Sequence, residues 1–106
     1  MRLAKLAEMK DGWFIGGFVP SVFRTGEFEV GFKQHKKGED WPCHYQLKAV
    51  EINCMVRGIL GIGDQLFYSG DIFVVEPLES VKPVFFTDVE VIVVKVPSLP
   101  LDKVLA

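Results

Sequence analysis

Apolar residues run along the chain in short stretches, and glycine or proline closes nearly every one: Gly12, Gly16, Pro20, Gly26, Gly31, Gly38, Pro42, Gly58, Gly61, Gly63, Gly70, Pro77, Pro83, Pro97 and Pro100. Such spacing leaves little room for a long helix. The stretches at residues 13–19, 28–33, 44–57, 65–68, 71–75, 84–86 and 89–96 are rich in β-branched and aromatic side chains, which predicts six to eight strands. Short strands separated by turn residues point to a sandwich or barrel whose edges close on themselves or against a second copy. Residues 1–11 fit an N-terminal arm or a short helix with Leu3, Leu6 and Ala7 on one side. Residues 97–106 read as a tail wrapped over the surface, because Pro97 and Pro100 cannot donate ladder hydrogen bonds.

Composition sharpens this reading. Fifteen Val, six Ile and nine Phe against four Ala favour pleated sheets over helices, so the class is all-β. A length of 106 residues supports one domain, 1–106, around one core. Twelve basic against fourteen acidic side chains leave a net charge of −2, which excludes a basic nucleic-acid footprint. The apolar stretch 89–96 is interrupted by Glu90 and Lys95 and is far too short to cross a membrane. Arg2, Lys5, Glu8 and Lys10 break up the N-terminal apolar residues, so no export signal is read. With Cys43 and Cys54 as the only cysteines, the expected setting is cytoplasmic, with both thiols reduced.

The chemistry concentrates between residues 38 and 58. There Gly38 is followed by five residues, His44-x-Gln46, four residues, Glu51, six residues and Gly58. This spacing resembles the first motif of the cupin family, a glycine, then His-x-His, Glu and glycine, with Gln46 at the second histidine. Residues 70–77, Gly-Asp-Ile-Phe-Val-Val-Glu-Pro, resemble the start of the second cupin motif, which then departs at Glu79 (family glycine) and Lys82 (family histidine). Residues 12–16 and 93–103 also look like those of small single-domain cupins of bacteria and phages. The resemblance implies a cupin-like double-stranded β-helix, or jelly-roll barrel, with His44, Gln46, Glu51 and Lys82 at its pocket.

In metal-binding cupins, His-x-His sends two imidazoles to one face of a strand, and a carboxylate and a third imidazole join them. Here His44 and Gln46 share a face. Glu51, five positions past Gln46, needs a bulge or bend to reach the same side. A Gln amide is a weak donor for transition metals, and a Lys ammonium must lose its proton before it coordinates. No cofactor is therefore expected. The pocket is read as a site for a small polar or anionic ligand such as a sugar nucleotide or carbohydrate. Lys82 would attract the anion, Glu51 would pair with Lys82 or a hydroxyl, and His44 would exchange a proton in an isomerase- or epimerase-type step.

Two alternatives stand beside it. One is a metal-dependent cupin enzyme holding a divalent transition metal on His44, Gln46 and Glu51. The other is a non-catalytic regulatory or interaction module, whose barrel mouth would be filled by its own side chains. The expected partners are a small-molecule ligand and a second copy in a homodimer, with neither nucleic acid nor membrane. Three other features are read as structural. Cys43 and His44 are strand neighbours on opposite faces, Gly58, Gly61 and Gly63 form a turn, and Lys33, Lys36, Lys37, Glu39 and Asp40 form a solvated mixed-charge loop.

Overall fold

The computed structural model describes residues 1–106. Eleven strands form where the β-branched and aromatic runs lie: β1 (Trp13–Gly16), β2 (Phe23–Arg24), β3 (Glu29–His35), β4 (His44–Gln46), β5 (Val50–Arg57), β6 (Leu60–Ile62), β7 (Gln65–Phe67), β8 (Ile72–Val75), β9 (Pro83–Phe85), β10 (Val89–Val96) and β11 (Lys103–Leu105). One sheet has the order β2-β1-β3-β10-β5-β8. A second pairs β11 with β4, and a third has the order β7-β6-β9. The all-β class read from composition is the class observed.

Several boundaries differ from those predicted. Residues 1–11 form an arm with a single 3-10 turn at Leu6–Glu8 and no α-helix. The Gly58–Gly63 turn contains a strand, β6, which pairs with both β7 and β9. The stretch 44–57, which reads as one strand, breaks at Leu47–Ala49 into β4 and β5, which lie in different sheets. The tail does not merely wrap the surface, because after Pro100 it re-enters as β11 and pairs antiparallel with β4, placing Lys103 opposite Gln46 and Leu105 opposite His44.

Asp102 fixes the last two features together. Its buried carboxylate accepts the Lys48 amide at 3.1 and 3.0 Å and the Ala49 amide at 2.8 Å. The chain break between β4 and β5 leaves those amides without ladder partners, and a carboxylate satisfies them with charge-assisted bonds.

Register assigns the faces of the large sheet. Along β3-β10-β5-β8, one face carries the rows Glu29–Lys95–Glu51–Val75 and Gly31–Val93–Asn53–Phe73, with Lys33, Val91 and Met55 in the next row. This is the inner face: Met55, Leu60, Phe85, Val89, Val91 and Val93 form the buried core, against which Trp13, Trp41, Phe67 and Phe73 pack. Trp13 lies over Gly31, where an added Cβ would fall 2.8 Å from the indole, so the absence of a side chain there lets the ring lie on the sheet. The outer face carries Ile92–Cys54–Ile72 and Val94–Ile52–Val74, two partly exposed apolar rows. Both cysteines are free thiols. No helix is long and apolar enough to cross a membrane.

Candidate functional site

The inner face and the two smaller sheets line a half-open chamber of about 90 Å³, which adjoins a wider hollow of about 1130 Å³ bounded on one side by the N-terminal arm. Six residues line both spaces and form the neck between them: Trp13, Lys33, His35, Trp41, Lys95 and Lys103. Three of the six are lysines, each delivered by a different strand, β3, β10 and β11. Lys33 and Lys95 lie 5.2 and 5.0 Å from the Trp13 ring centre, and Lys103 lies 4.6 Å from that of Trp41, all within cation–π range. None of the three forms an ion pair. Lys33 donates to the Asp11 carbonyl.

Burial lowers the pKa of Lys33 first of all; Asp11 opposes that shift, and Lys103 and Lys95 add to it. Lys103 is likewise lowered, chiefly by burial and then by Lys95, with Glu51 opposing. An amine whose folded pKa lies below its unfolded 10.5 binds fewer protons in the native state between those two values. Stability therefore rises with pH across that window. The neck loses positive charge over the same range, so anion affinity falls as stability climbs. Melting curves and anion titrations at matched pH, for the wild type and for Lys33→Met, should show these opposite trends in the wild type and weaker ones in the variant.

Beyond the neck, the chamber wall includes His44, Glu51 and Asn53. His44 is buried, and its Nδ1 lies 3.0 Å from the Pro42 carbonyl. A carbonyl only accepts, so Nδ1 donates to it, and Nε2 takes no part in that bond. Glu51 reaches the chamber because the break at Leu47–Ala49 ends one strand and starts another, so counting positions from Gln46 no longer decides its direction. Gln46, also buried, lies 3.5 Å from the Glu51 carboxylate through its Nε2 and lines the outer hollow. Asn53, two positions past Glu51 on the same face of β5, is 4% exposed, and its Nδ2 has no hydrogen-bond partner.

Lys82 is placed elsewhere. Val81 pairs with His44 and turns its side chain into the interior, so the next residue points out. More than half exposed, the Lys82 ammonium donates to the Trp41 carbonyl at 2.7 Å and lies 3.5 Å from Asp40. The expectation that Lys82 serves this pocket, as ligand contact or catalytic cation, is corrected on that geometry. Lys33, Lys95 and Lys103 hold the position instead.

Sequence reasoning also left out the support beneath the neck. Glu39 accepts from Trp41 Nε1 and lies 2.6 Å from His35 Nδ1. His35 stacks on Phe85 with ring centres 4.3 Å apart. Burial alone would raise the Glu39 pKa, but hydrogen bonds from Trp41, His35 and the Lys36 amide outweigh it and hold the carboxyl below its ordinary range.

The donors present do not suit a transition metal. No three His, Cys, Asp or Glu side chains converge. Gln46 contributes a weak amide, and three ammonium groups at the neck oppose a divalent cation.

No protein-family model matches the chain, and no curated protein matches it by sequence. Solved structures do match. A protein with a double-stranded β-helix domain from Klebsiella pneumoniae subsp. pneumoniae MGH 78578 aligns at TM-score 0.69 and 14% identity, covering 100% of this chain and 97% of that one. An RmlC-like cupin from Shewanella frigidimarina NCIMB 400 aligns at TM-score 0.64 and 19% identity over 72% of this chain and 71% of the other. The DMSP lyase DddQ from Ruegeria pomeroyi DSS-3 aligns at TM-score 0.73 and 16% identity, over 99% of this chain and 56% of the lyase. The chain thus has the double-stranded β-helix fold of the RmlC-like cupins, a fold that carries enzymes and uncharacterised proteins alike.

Proposed function

We propose that the chain binds a small anionic molecule at the lysine neck of its barrel. The observation that carries this reading is the convergence of Lys33, Lys95 and Lys103 on one opening with no carboxylate paired to any of them. Three like charges brought together repel one another, and a bound anion relieves that repulsion. Glu29 and Glu51 flank Lys95 across the strands and temper the field without contacting the amine. The inner chamber, at about 90 Å³, admits only a small head group, since drug-sized ligands occupy roughly 300–1,000 Å³. A sugar nucleotide would have to lie mostly in the outer hollow.

His44 is the group suited to moving a proton on the bound molecule, because its imidazole lines the chamber wall with Nδ1 held by the Pro42 carbonyl. The charge stabilisation expected of Lys82 passes in this reading to Lys33 and Lys103.

The test is calorimetric titration with phosphate, acetate and citrate at low and high salt. Binding to the wild type should weaken with salt and fall about tenfold or more in Lys103→Met, while Lys82→Met leaves it unchanged. Equal affinities for wild type and Lys103→Met, or a loss confined to Lys82→Met, would overturn the reading.

A further inference from the structure

A site that holds only an anion needs cations and little else, yet the chamber behind the neck is furnished with polar groups of both kinds. Asn53 is 96% buried by its 4% exposure, sits between Val93 and Phe73 in its row, and presents an amide nitrogen with no acceptor. Buried N–H donors without partners are rare in folded proteins, and one on a cavity wall has a ready explanation if the ligand supplies the acceptor. Glu51, on the same face of the same strand, offers carboxylate oxygens, and His44 offers Nε2. The chamber wall therefore carries an amide with both a donor and an acceptor, a carboxylate that only accepts, and an imidazole. A ketone, an ether or a second carboxylate accepts only, which suits the Asn53 N–H and leaves the Glu51 carboxylate facing lone pairs. A hydroxyl both accepts and donates, so it can take the Asn53 N–H and give its proton to Glu51 or His44.

We propose that the ligand is a short hydroxycarboxylate, with its carboxylate at the lysine neck and its hydroxyls in the chamber against Asn53, Glu51 and His44. The proposal rests on the anion reading above and adds to it the chemistry of the rest of the molecule. A chain of three carbons with two hydroxyls suits the chamber volume of about 90 Å³ and the two-residue separation of Glu51 and Asn53 along β5.

Glycerate and propionate share charge and carbon skeleton and differ by two hydroxyls, so they isolate this claim. Titrated into isotopically labelled full-length protein at neutral pH, glycerate should shift the side-chain amide signals of Asn53 and bind about tenfold more tightly than propionate. Asn53→Leu should bring the two affinities together. If propionate binds as tightly as glycerate, and both depend on Lys103, the hydroxyl claim fails and the anion site stands. If neither acid binds while phosphate does, the hydroxycarboxylate claim falls and the anion site stands; if phosphate fails as well, both readings fall. An unmoved Asn53 amide signal on saturation with glycerate overturns the proposal without recourse to any variant.

Discussion

Replacing Asp102 with alanine is expected to lower the melting temperature by on the order of 15 °C, and to weaken anion binding at the same time. The carboxylate accepts two backbone amides from inside the protein, those of Lys48 and Ala49, across a sequence separation of more than fifty residues. Its removal leaves both donors buried or half-buried without partners and discards charge-assisted bonds. A loss of about 3 kcal/mol follows, and domains of this size lose roughly 4–8 °C for each kcal/mol. The binding defect has a separate cause. Asp102 precedes Lys103, and its contacts anchor the start of β11 against the β4–β5 break. Asp102→Asn, which keeps an acceptor but loses the charge, should fall between wild type and alanine. A melting temperature within about 3 °C of wild type for the alanine variant would show that the break holds without this clamp.

The opposite change is expected at Asn53. Leucine keeps the branched shape and heavy-atom count of asparagine, though it is bulkier, and removes a buried donor that nothing in the protein satisfies. Leaving such a group unmet costs about 1–3 kcal/mol, so Asn53→Leu should raise the melting temperature of the ligand-free protein by roughly 5–15 °C. The neighbours along the row, Val93 and Phe73, are apolar, so a leucine there meets side chains of its own kind. A residue that destabilises the empty protein is the pattern expected of groups kept for binding. Thermal melts in buffer free of carboxylates make the comparison clean. An unchanged or lower melting temperature would mean that the Asn53 amide already has a partner, such as an internal water, and would weaken the case for a ligand there.

The fold was legible in the sequence because its signal is local. Alternating apolar positions and frequent glycine and proline mark strands and turns wherever the chain lies, and the run from Gly38 to Gly58 carries the spacing that resembles cupins. Glu51 was harder to read. Its direction depends on the break at Leu47–Ala49, and that break is held by a carboxylate from the far end of the chain, so no count of positions from His44 could settle it. Lys82 misled for a related reason: motif spacing fixes where a residue stands along the chain but not which face it takes, and the pairing of Val81 with His44 sends Lys82 outward. The neck lysines were hidden because they sit on three strands distant in sequence. Lys33 reads as part of a charged loop and Lys103 as part of a tail until register brings them together. A partial signal was present: Lys95 interrupts an otherwise apolar inward face, Asn53 stands two positions from Glu51 on the inward face of the paired strand, and polar residues in such places call for partners.

The pairing of β11 with β4 extends over only three residue pairs at the margin of the barrel. Short marginal strands fray at far lower free energy than whole domains unfold. Each such excursion carries Lys103 away from the opening, so a molecule held there can depart through a moment of local melting while the six-stranded sheet stays intact. On the anion reading, residence time then follows the local stability of β11, and Asp102 at its start ties that strand to the rest of the barrel.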